Sequence, residues 1–188
     1  MKNKEYIIPF SGLKQGTHSF DFVLGEKFFQ QFDFEEFIST QIQVTVQLNK
    51  MSTMMEFAFA AQGSVRVPCD VTGELFDLPI QATLDLVVKF GEEFNDENES
   101  LLILPHMEHQ VDIAQYLYEM VVLAVPQKRV HPGVLDGTLE NEAIELLEKF
   151  SEGDLIEYAI DGAFPIERAK ALSGVISSHW NAENGQGL

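Results

Sequence analysis

The sequence predicts an α+β fold, in which an antiparallel β meander sheet packs with a few helices and the C-terminal part is helical. Apolar and polar residues alternate through most of residues 41–90, which is the period of a half-buried strand. After Pro105, apolar residues recur at spacings of three and four, the period of a helix. Hydrophobic residues form 45% of the chain and include 15 Phe, which is enough for one substantial core.

The central strands predict a four-strand meander. Residues 49–53 form the turn of a hairpin, and two further alternating runs follow it, separated by the turn sequence DVTG at residues 70–73. Pro68 indicates an edge position or a bulge. The inward sets are Ile42, Val44, Val46 and Leu48; Met55, Phe57, Phe59 and Ala61; Val65, Val67 and Cys69; and Ile80, Ala82, Leu84, Leu86, Val88 and Phe90.

The segments around the meander complete the predicted core and one loop. Residues 18–24 alternate as another strand, and residues 6–10 are a short candidate strand. Residues 27–38 contain five Phe, which predict an aromatic plug that fills the core. Residues 91–100 read GEEFNDENES, whose like charges predict a solvated loop, since the spacing of its carboxylates is not that of a calcium-binding loop.

Helices are predicted after residue 111. Asp112 caps a first helix that Pro126 ends, residues 140–150 form a second helix, and residues 155–160 and 165–173 form short ones. We therefore predict two regions, an α+β domain over residues 1–150 and a C-terminal helical extension with a flexible tail over residues 151–188. Neither an internal repeat nor a heptad run is present in the sequence.

The charge balance indicates the kind of partner. The chain has 12 Lys and Arg against 30 Asp and Glu, a net charge of -18 at pH 7. Such a protein repels phosphate and suits a basic partner, although acidity can also serve solubility alone. A single cysteine, Cys69, excludes an internal disulfide. With no signal peptide and no run of 18 apolar residues, we expect a cytoplasmic protein without a membrane partner.

The sequence offers no catalytic motif. Nucleophile elbows, phosphate-binding loops, dinucleotide fingerprints and H-E-x-x-H are absent from it, so we predict a protein that is not an enzyme. Cys69, His106, His109 and His131 are the candidate zinc ligands, but they do not form the two close pairs of a structural site. Asp70, next to Cys69, would oppose thiolate formation. We expect neither metal nor cofactor.

One small basic patch stands out in this acidic chain. Lys128 and Arg129, with His131 close by, lie between Pro126 and Pro132, on a loop that follows the best helix. These three residues are the candidate binding site for a phosphate or an acidic groove. The alternative is that the cations only complement the dipole at the end of the helix.

Longer strings carry a resemblance to a known family. VRVPCDVTGE at residues 65–74, LPI at 78–80, VDI at 111–113 and VP at 125–126 resemble the core of the YceD-like large ribosomal RNA subunit accumulation proteins. VVKFGEEFNDENE, LILPH, AQYLYEM and VPQKRVHPG resemble a Bacteroidetes-type branch that lacks the cysteine pairs. The resemblance covers roughly residues 1–150.

The resemblance implies an accessory role in the accumulation or processing of large-subunit ribosomal RNA. Many members of the family carry C-x-x-C at the hairpin turn and a second Cys pair after the helix. Here Cys69 keeps one position, Thr72 replaces its partner, and the second region reads QKRVHPG. Zinc is therefore not carried over to this chain. Packing of Val71 or Leu75 against Val130 and Val134 is the expected substitute for the lost metal.

Three functions are compatible with these features. The first is a ribosome-biogenesis factor that binds a basic ribosomal protein or precursor ribosomal RNA, using Lys128, Arg129 and His131 for any RNA contact. The second is an acidic, chaperone-like module that binds protein without touching RNA. The third, from another class, is a metal-dependent nuclease, for which residues 92–99 are a poor host because their composition is that of an exposed loop.

Overall fold

A computed structural model describes residues 4–98, 100–139 and 144, and the statements below concern these residues. Of them, 50% lie in strands and 17% in helices. The chain divides into two compact units. The first unit is Met1–Arg66 with Asp77–Pro126, and the second is Val67–Phe76 with Gln127–Leu188. None of the helices in the described part of the chain is long and apolar enough to cross a membrane.

The strands of the described residues are β1 (Ile7–Pro9), β2 (Gly16–Leu24), β3 (Ser39–Lys50), β4 (Met54–Pro68), β5 (Leu75–Gly91), β6 (Asn95–Asn98), β7 (Leu101–Pro105) and β8 (Gln110–Asp112). The helices are a 3₁₀ turn (Lys4–Tyr6), α1 (Glu26–Gln30), α2 (Ala114–Ala124) and α3 (Pro132–Leu135). Six strands form one sheet in the order β2-β3-β4-β5-β7-β6, and β1 pairs with β8 in a separate two-stranded sheet.

The predicted fold class is wrong, because the structure is mostly sheet and the main sheet is mixed. β7 pairs with β5 in parallel, from Val87↔Leu101 to Gly91↔Pro105, and the residues predicted as a loop supply the edge strand β6. The compositions of β6 and β7 agree with their positions in the sheet. The apolar run of β7 takes the position between two neighbours, while the polar residues of β6, NDEN, take the edge that faces water.

The predicted C-terminal helices are not supported either. Among described residues after α2, the helical segment α3 has four residues. The helices predicted at residues 140–150, 155–160 and 165–173 lie outside the described residues, apart from residue 144. The predicted boundary at residue 150 also lies outside them, so the division into an α+β domain and a C-terminal extension stays a prediction.

The predicted hairpin forms the centre of the first unit. β3 pairs with β4 from Ser39↔Arg66 to Lys50↔Met55, with the two predicted apolar sets facing one another across the register. Burial follows the period of two: the alternate side chains Ile42, Val44, Val46 and Leu48 are at most 1% exposed. Each such buried side chain contributes about 1.5–3 kcal/mol relative to an exposed one.

The aromatic plug is confirmed for three of its five Phe, whereas Phe32 and Phe34 are only partly buried. α1 buries Phe28 and Phe29, whose rings meet edge to face at 5.1 Å, and Phe37 meets Phe29 at 5.0 Å. The first predicted helix is present as α2, which buries Leu117, Met120 and Val121. Ahead of it, Asp112 Oδ1 accepts a hydrogen bond from Ala114 N–H at 3.1 Å.

Candidate functional site

The predicted turn and binding residues belong to the second unit: Cys69, Thr72, Lys128, Arg129 and His131. His106 and His109, the other two candidate zinc ligands, belong to the first unit. Residues 69–74, called here the cysteine turn, connect β4 to β5, and residues 127–131, called here the basic loop, precede α3. The cysteine turn is closed by its own backbone. Cys69 N–H donates to the Glu74 carbonyl oxygen and Gly73 N–H donates to the Cys69 carbonyl oxygen, both at 2.8 Å. Gly73 has φ 76°, a conformation that glycine adopts without strain.

Cys69 anchors the turn to the loop through its sulfur. The side chain is buried, and His131 N–H donates to Cys69 Sγ at 3.3 Å. Burial raises the pKa of the thiol, but hydrogen bonds from the Thr72 hydroxyl and from the backbone of His131, Thr72 and Val71 outweigh burial and leave the pKa below its ordinary value. The negative charge of Asp70, which was expected to oppose thiolate formation, therefore does not determine the direction in which the pKa of Cys69 shifts.

Thr72 keeps part of the role that a second cysteine would have. Its hydroxyl points to Cys69 and also accepts a hydrogen bond from Glu74 N–H at 3.3 Å. The side chain is 8% exposed. A hydroxyl in this position holds the turn by hydrogen bonds where a thiolate would ligate a metal.

Asp70 and Arg129 connect the turn to the loop through three polar contacts. Asp70 N–H donates to the Arg129 carbonyl oxygen at 2.8 Å, and Arg129 N–H donates to Asp70 Oδ2 at 2.6 Å. The guanidinium adds a contact of 3.3 Å between Nη2 and Oδ1. Both side chains are largely shielded, at 27% and 21% exposed, so the pair is less screened than a surface ion pair.

His131 has a structural role at the start of α3. Its Nδ1 accepts a hydrogen bond from Gly133 N–H at 2.9 Å. Its ring packs edge to face on Phe76 at 5.4 Å. Of the three predicted binding residues, Lys128 is exposed, and Arg129 and His131 make the contacts described above. Their predicted role in binding stays a prediction.

The residues of the turn and the loop do not suit zinc. Among the described residues, no three His, Cys, Asp or Glu side chains come together in a way that could hold a metal ion. Thr72 supplies no thiolate, and His131 Nδ1 is taken by Gly133. Of the two residues expected to substitute for the metal, Val71 is fully buried and Leu75 is 44% exposed. Their packing against Val130 and Val134 stays a prediction.

The thiol of Cys69 predicts a pH dependence of stability. With a lowered pKa in the folded state, the unfolded chain binds more protons between that pKa and the ordinary value of 9.0. The free energy of unfolding should therefore rise with pH across this interval. The contribution is complete above 9.0 and is lost as pH falls through the folded-state pKa. Urea denaturation of wild type and Cys69→Ala at several pH values tests this, and a difference between the two that stays constant with pH would contradict it.

A second candidate site, which the sequence did not predict, lies in the first unit. A groove of about 1220 Å³ runs between α2 and strands of the sheet, and we call it the acidic groove. Its lining includes the apolar residues Leu84, Phe94 and Leu123 and the carboxylates of Asp96, Glu97 and Glu119. Glu108 and Asp112 add two more carboxylates, and none of the described residues that line the groove is Lys, Arg or His.

The negative charges of the acidic groove act on a side chain within it. Burial raises the pKa of the Tyr116 hydroxyl, and the nearby carboxylates of Asp96 and Glu119 raise it further. At one end, the ring of Tyr118 stacks on Phe32 with centroids 4.3 Å apart. The groove therefore combines apolar walls with a negative potential.

The fold and these two sites define a mixed-sheet protein with a cysteine turn held by polar contacts and an acidic groove. Residues 57–157 match the family model of the large ribosomal RNA subunit accumulation protein YceD. This match covers more than half of the chain and includes the cysteine turn, the basic loop and most of the residues that line the acidic groove. The chain therefore belongs to the YceD family, which is named for the accumulation of large-subunit ribosomal RNA. No curated protein and no solved structure matches the chain.

Proposed function

We propose that this chain is a non-catalytic biogenesis factor of the large ribosomal subunit that supports accumulation of the ribosomal RNA by binding a basic ribosomal protein. Family membership supports the role in large-subunit RNA accumulation. The net charge of -18 supports a basic partner, because opposite potentials attract and orient the two molecules before contact.

The contact between Arg129 and Asp70 favours a protein partner over direct RNA contact. A basic residue that binds phosphate contributes by displacing counterions from the nucleic acid. The guanidinium of Arg129 already lies 3.3 Å from a carboxylate, and His131 Nδ1 already accepts a hydrogen bond. An RNA would have to compete with both contacts, in a chain whose remaining surface is strongly acidic.

The burial of Cys69 supports the non-catalytic part of the proposal. Its lowered pKa is the property that a nucleophilic cysteine needs. However, the residue is only 3% exposed, and its sulfur is occupied by hydrogen bonds that shape the turn. The same hydrogen bonds explain the lowered pKa without a catalytic role, because they stabilise the thiolate form of Cys69.

Affinity capture with and without nuclease tests the proposal. Tagged protein from its own cells should retain a basic ribosomal protein after RNase treatment, and it should sediment with immature large subunits before treatment. Deletion of the gene should lower the ratio of large- to small-subunit ribosomal RNA, and the wild-type gene should restore it. Loss of every ribosomal protein on RNase treatment would favour binding through precursor RNA instead, and an unchanged RNA ratio would refute the biogenesis role.

A further inference from the structure

The inner face of β5 is incompletely covered where the acidic groove opens. Ile80 and Leu86 on this face are buried, at 3% and 0% exposed. Between them, on the same face, Ala82 and Leu84 are only half-buried and line the groove. Among the described residues, this face of β5 therefore leaves part of its apolar surface exposed in the middle of the strand.

Two large apolar side chains border this uncovered surface. Leu123 of α2 is 83% exposed and Phe94, just before β6, is 57% exposed, and both line the groove. Leu123 lies off the helix face that buries Leu117, Met120 and Val121, so it contributes little to the core. Exposed aromatic and aliphatic side chains beside a concave apolar surface are typical anchors of a binding site.

Among the described residues that line the groove, the formal charge comes from carboxylates alone. Asp96 and Glu97 on β6 and Glu119 on α2 are exposed on its borders. A nucleic acid would be repelled by them. A second copy of this chain carries the same net charge of -18 and would also be repelled. A segment with Lys or Arg beside apolar residues satisfies both the charges and the uncovered apolar surface.

We propose that the acidic groove of the first unit binds a basic segment of a partner protein, which inserts apolar side chains between Leu84, Phe94 and Leu123 and pairs its cations with Asp96, Glu97 and Glu119. The inference rests on the proposed function, and it assigns the basic partner to one surface. Helical or extended segments with apolar anchors at regular spacing commonly bind in such grooves. The partner's charges set the rate of association and its apolar anchors set the rate of dissociation.

Fluorescence anisotropy with a defined probe tests the binding. The probe is a labelled peptide of leucine and lysine with leucines at helical spacings, and the comparison peptide carries serine in place of leucine. The full chain should bind the leucine peptide about tenfold more tightly than the serine peptide, because only the first fills the apolar surface. Equal affinity for both peptides, or no binding of either, would overturn the proposal.

Matched variants locate the binding. Asp96→Lys with Glu119→Lys should weaken binding of the leucine peptide about tenfold or more, while Glu26→Lys with Asp85→Lys, which changes net charge equally outside the groove, should change it less than about twofold. Leu123→Ser should weaken binding several-fold, and Val23→Ser, an equivalent change at a 67% exposed side chain on β2, should not. If each groove variant and its matched control lose the same affinity for the leucine peptide, the attraction is nonspecific and the proposed binding in the groove is refuted.

Complementation separates this inference from the proposed function. In cells that lack the gene, the wild type should restore the ratio of large- to small-subunit RNA and the Asp96→Lys, Glu119→Lys variant should not. If both restore it, the groove assignment fails while the biogenesis role stands. If the wild type fails to restore it, the biogenesis role fails, whatever the peptide measurements show. Sedimentation of purified wild type as a dimer that Leu123→Ser dissociates would assign the groove to a second copy and overturn the proposal.

Discussion

Replacement of Gly63 by alanine should lower the free energy of unfolding by roughly 3 kcal/mol or more, the range reached when a backbone position has no room for a side chain. Gly63 lies in β4 opposite Ile42 of β3, with φ +156°. A Cβ there would lie 2.0 Å from the Gln41 carbonyl oxygen and 2.8 Å from the Ile42 Cα. Both contacts are with backbone, so the two central strands would have to separate.

Urea denaturation followed by circular dichroism measures this effect. Gly12→Ala is the matched control, because a Cβ at Gly12 meets nothing within 4 Å. The control should change the stability by less than about 0.5 kcal/mol. Similar midpoints for the two variants would show that β3 and β4 do not approach each other as described. If Gly63→Ala does not fold at all, its recovery only from inclusion bodies, beside a folded Gly12→Ala, supports the same conclusion.

The sequence predicts the long strands well because their burial is periodic. The inward residues of β3 alternate throughout and those of β4 alternate on both sides of Gly63, so the hairpin and its core face follow from the pattern. The four-strand meander is wrong, because β4 continues through Gly63 and joins the second and third predicted runs into one strand. β6 and β7 give no such signal. β6 has four polar residues and therefore no apolar alternation. The apolar run of β7, LLILP, does not indicate whether the strand pairs in a parallel or an antiparallel direction. Strand order and direction depend on contacts between segments, which a period cannot encode.

The two candidate sites also differ in how much of them could be predicted from the sequence. The sequence indicated Cys69, Thr72 and the basic loop through residue type and family strings, but the contact between Asp70 and Arg129 joins residues 59 positions apart and is not encoded by spacing. One feature of the sequence could have indicated the acidic groove. Leu123 falls outside the apolar stripe of α2, and an exposed leucine on a helix with a clear buried face indicates a binding surface or a second packing contact.

Replacement of Asp70 by alanine should destabilise the second unit by about 2 kcal/mol, since it removes a charged acceptor from a partly shielded site. Arg129 N–H would lose its 2.6 Å partner, and the guanidinium would lose the counter-charge at 3.3 Å. Asp70→Asn keeps one acceptor oxygen for Arg129 N–H and should show about half the loss. Urea denaturation of the full chain, together with hydrogen exchange of residues 69–76 and 127–135, measures the effect and its location.

Asp77→Ala is the matched control for Asp70→Ala, because the two variants remove the same carboxylate from positions with different surroundings. Asp77 contacts Arg66 at 3.8 Å, and the two side chains are 63% and 46% exposed, so solvent screens the pair. Its loss should cost less than about 0.5 kcal/mol. If both variants are equally stable and exchange equally fast, Asp70 and Arg129 do not hold the cysteine turn to the basic loop. Faster exchange in Asp70→Ala alone, at both segments together, would show that the contact between Asp70 and Arg129 holds the cysteine turn to the basic loop.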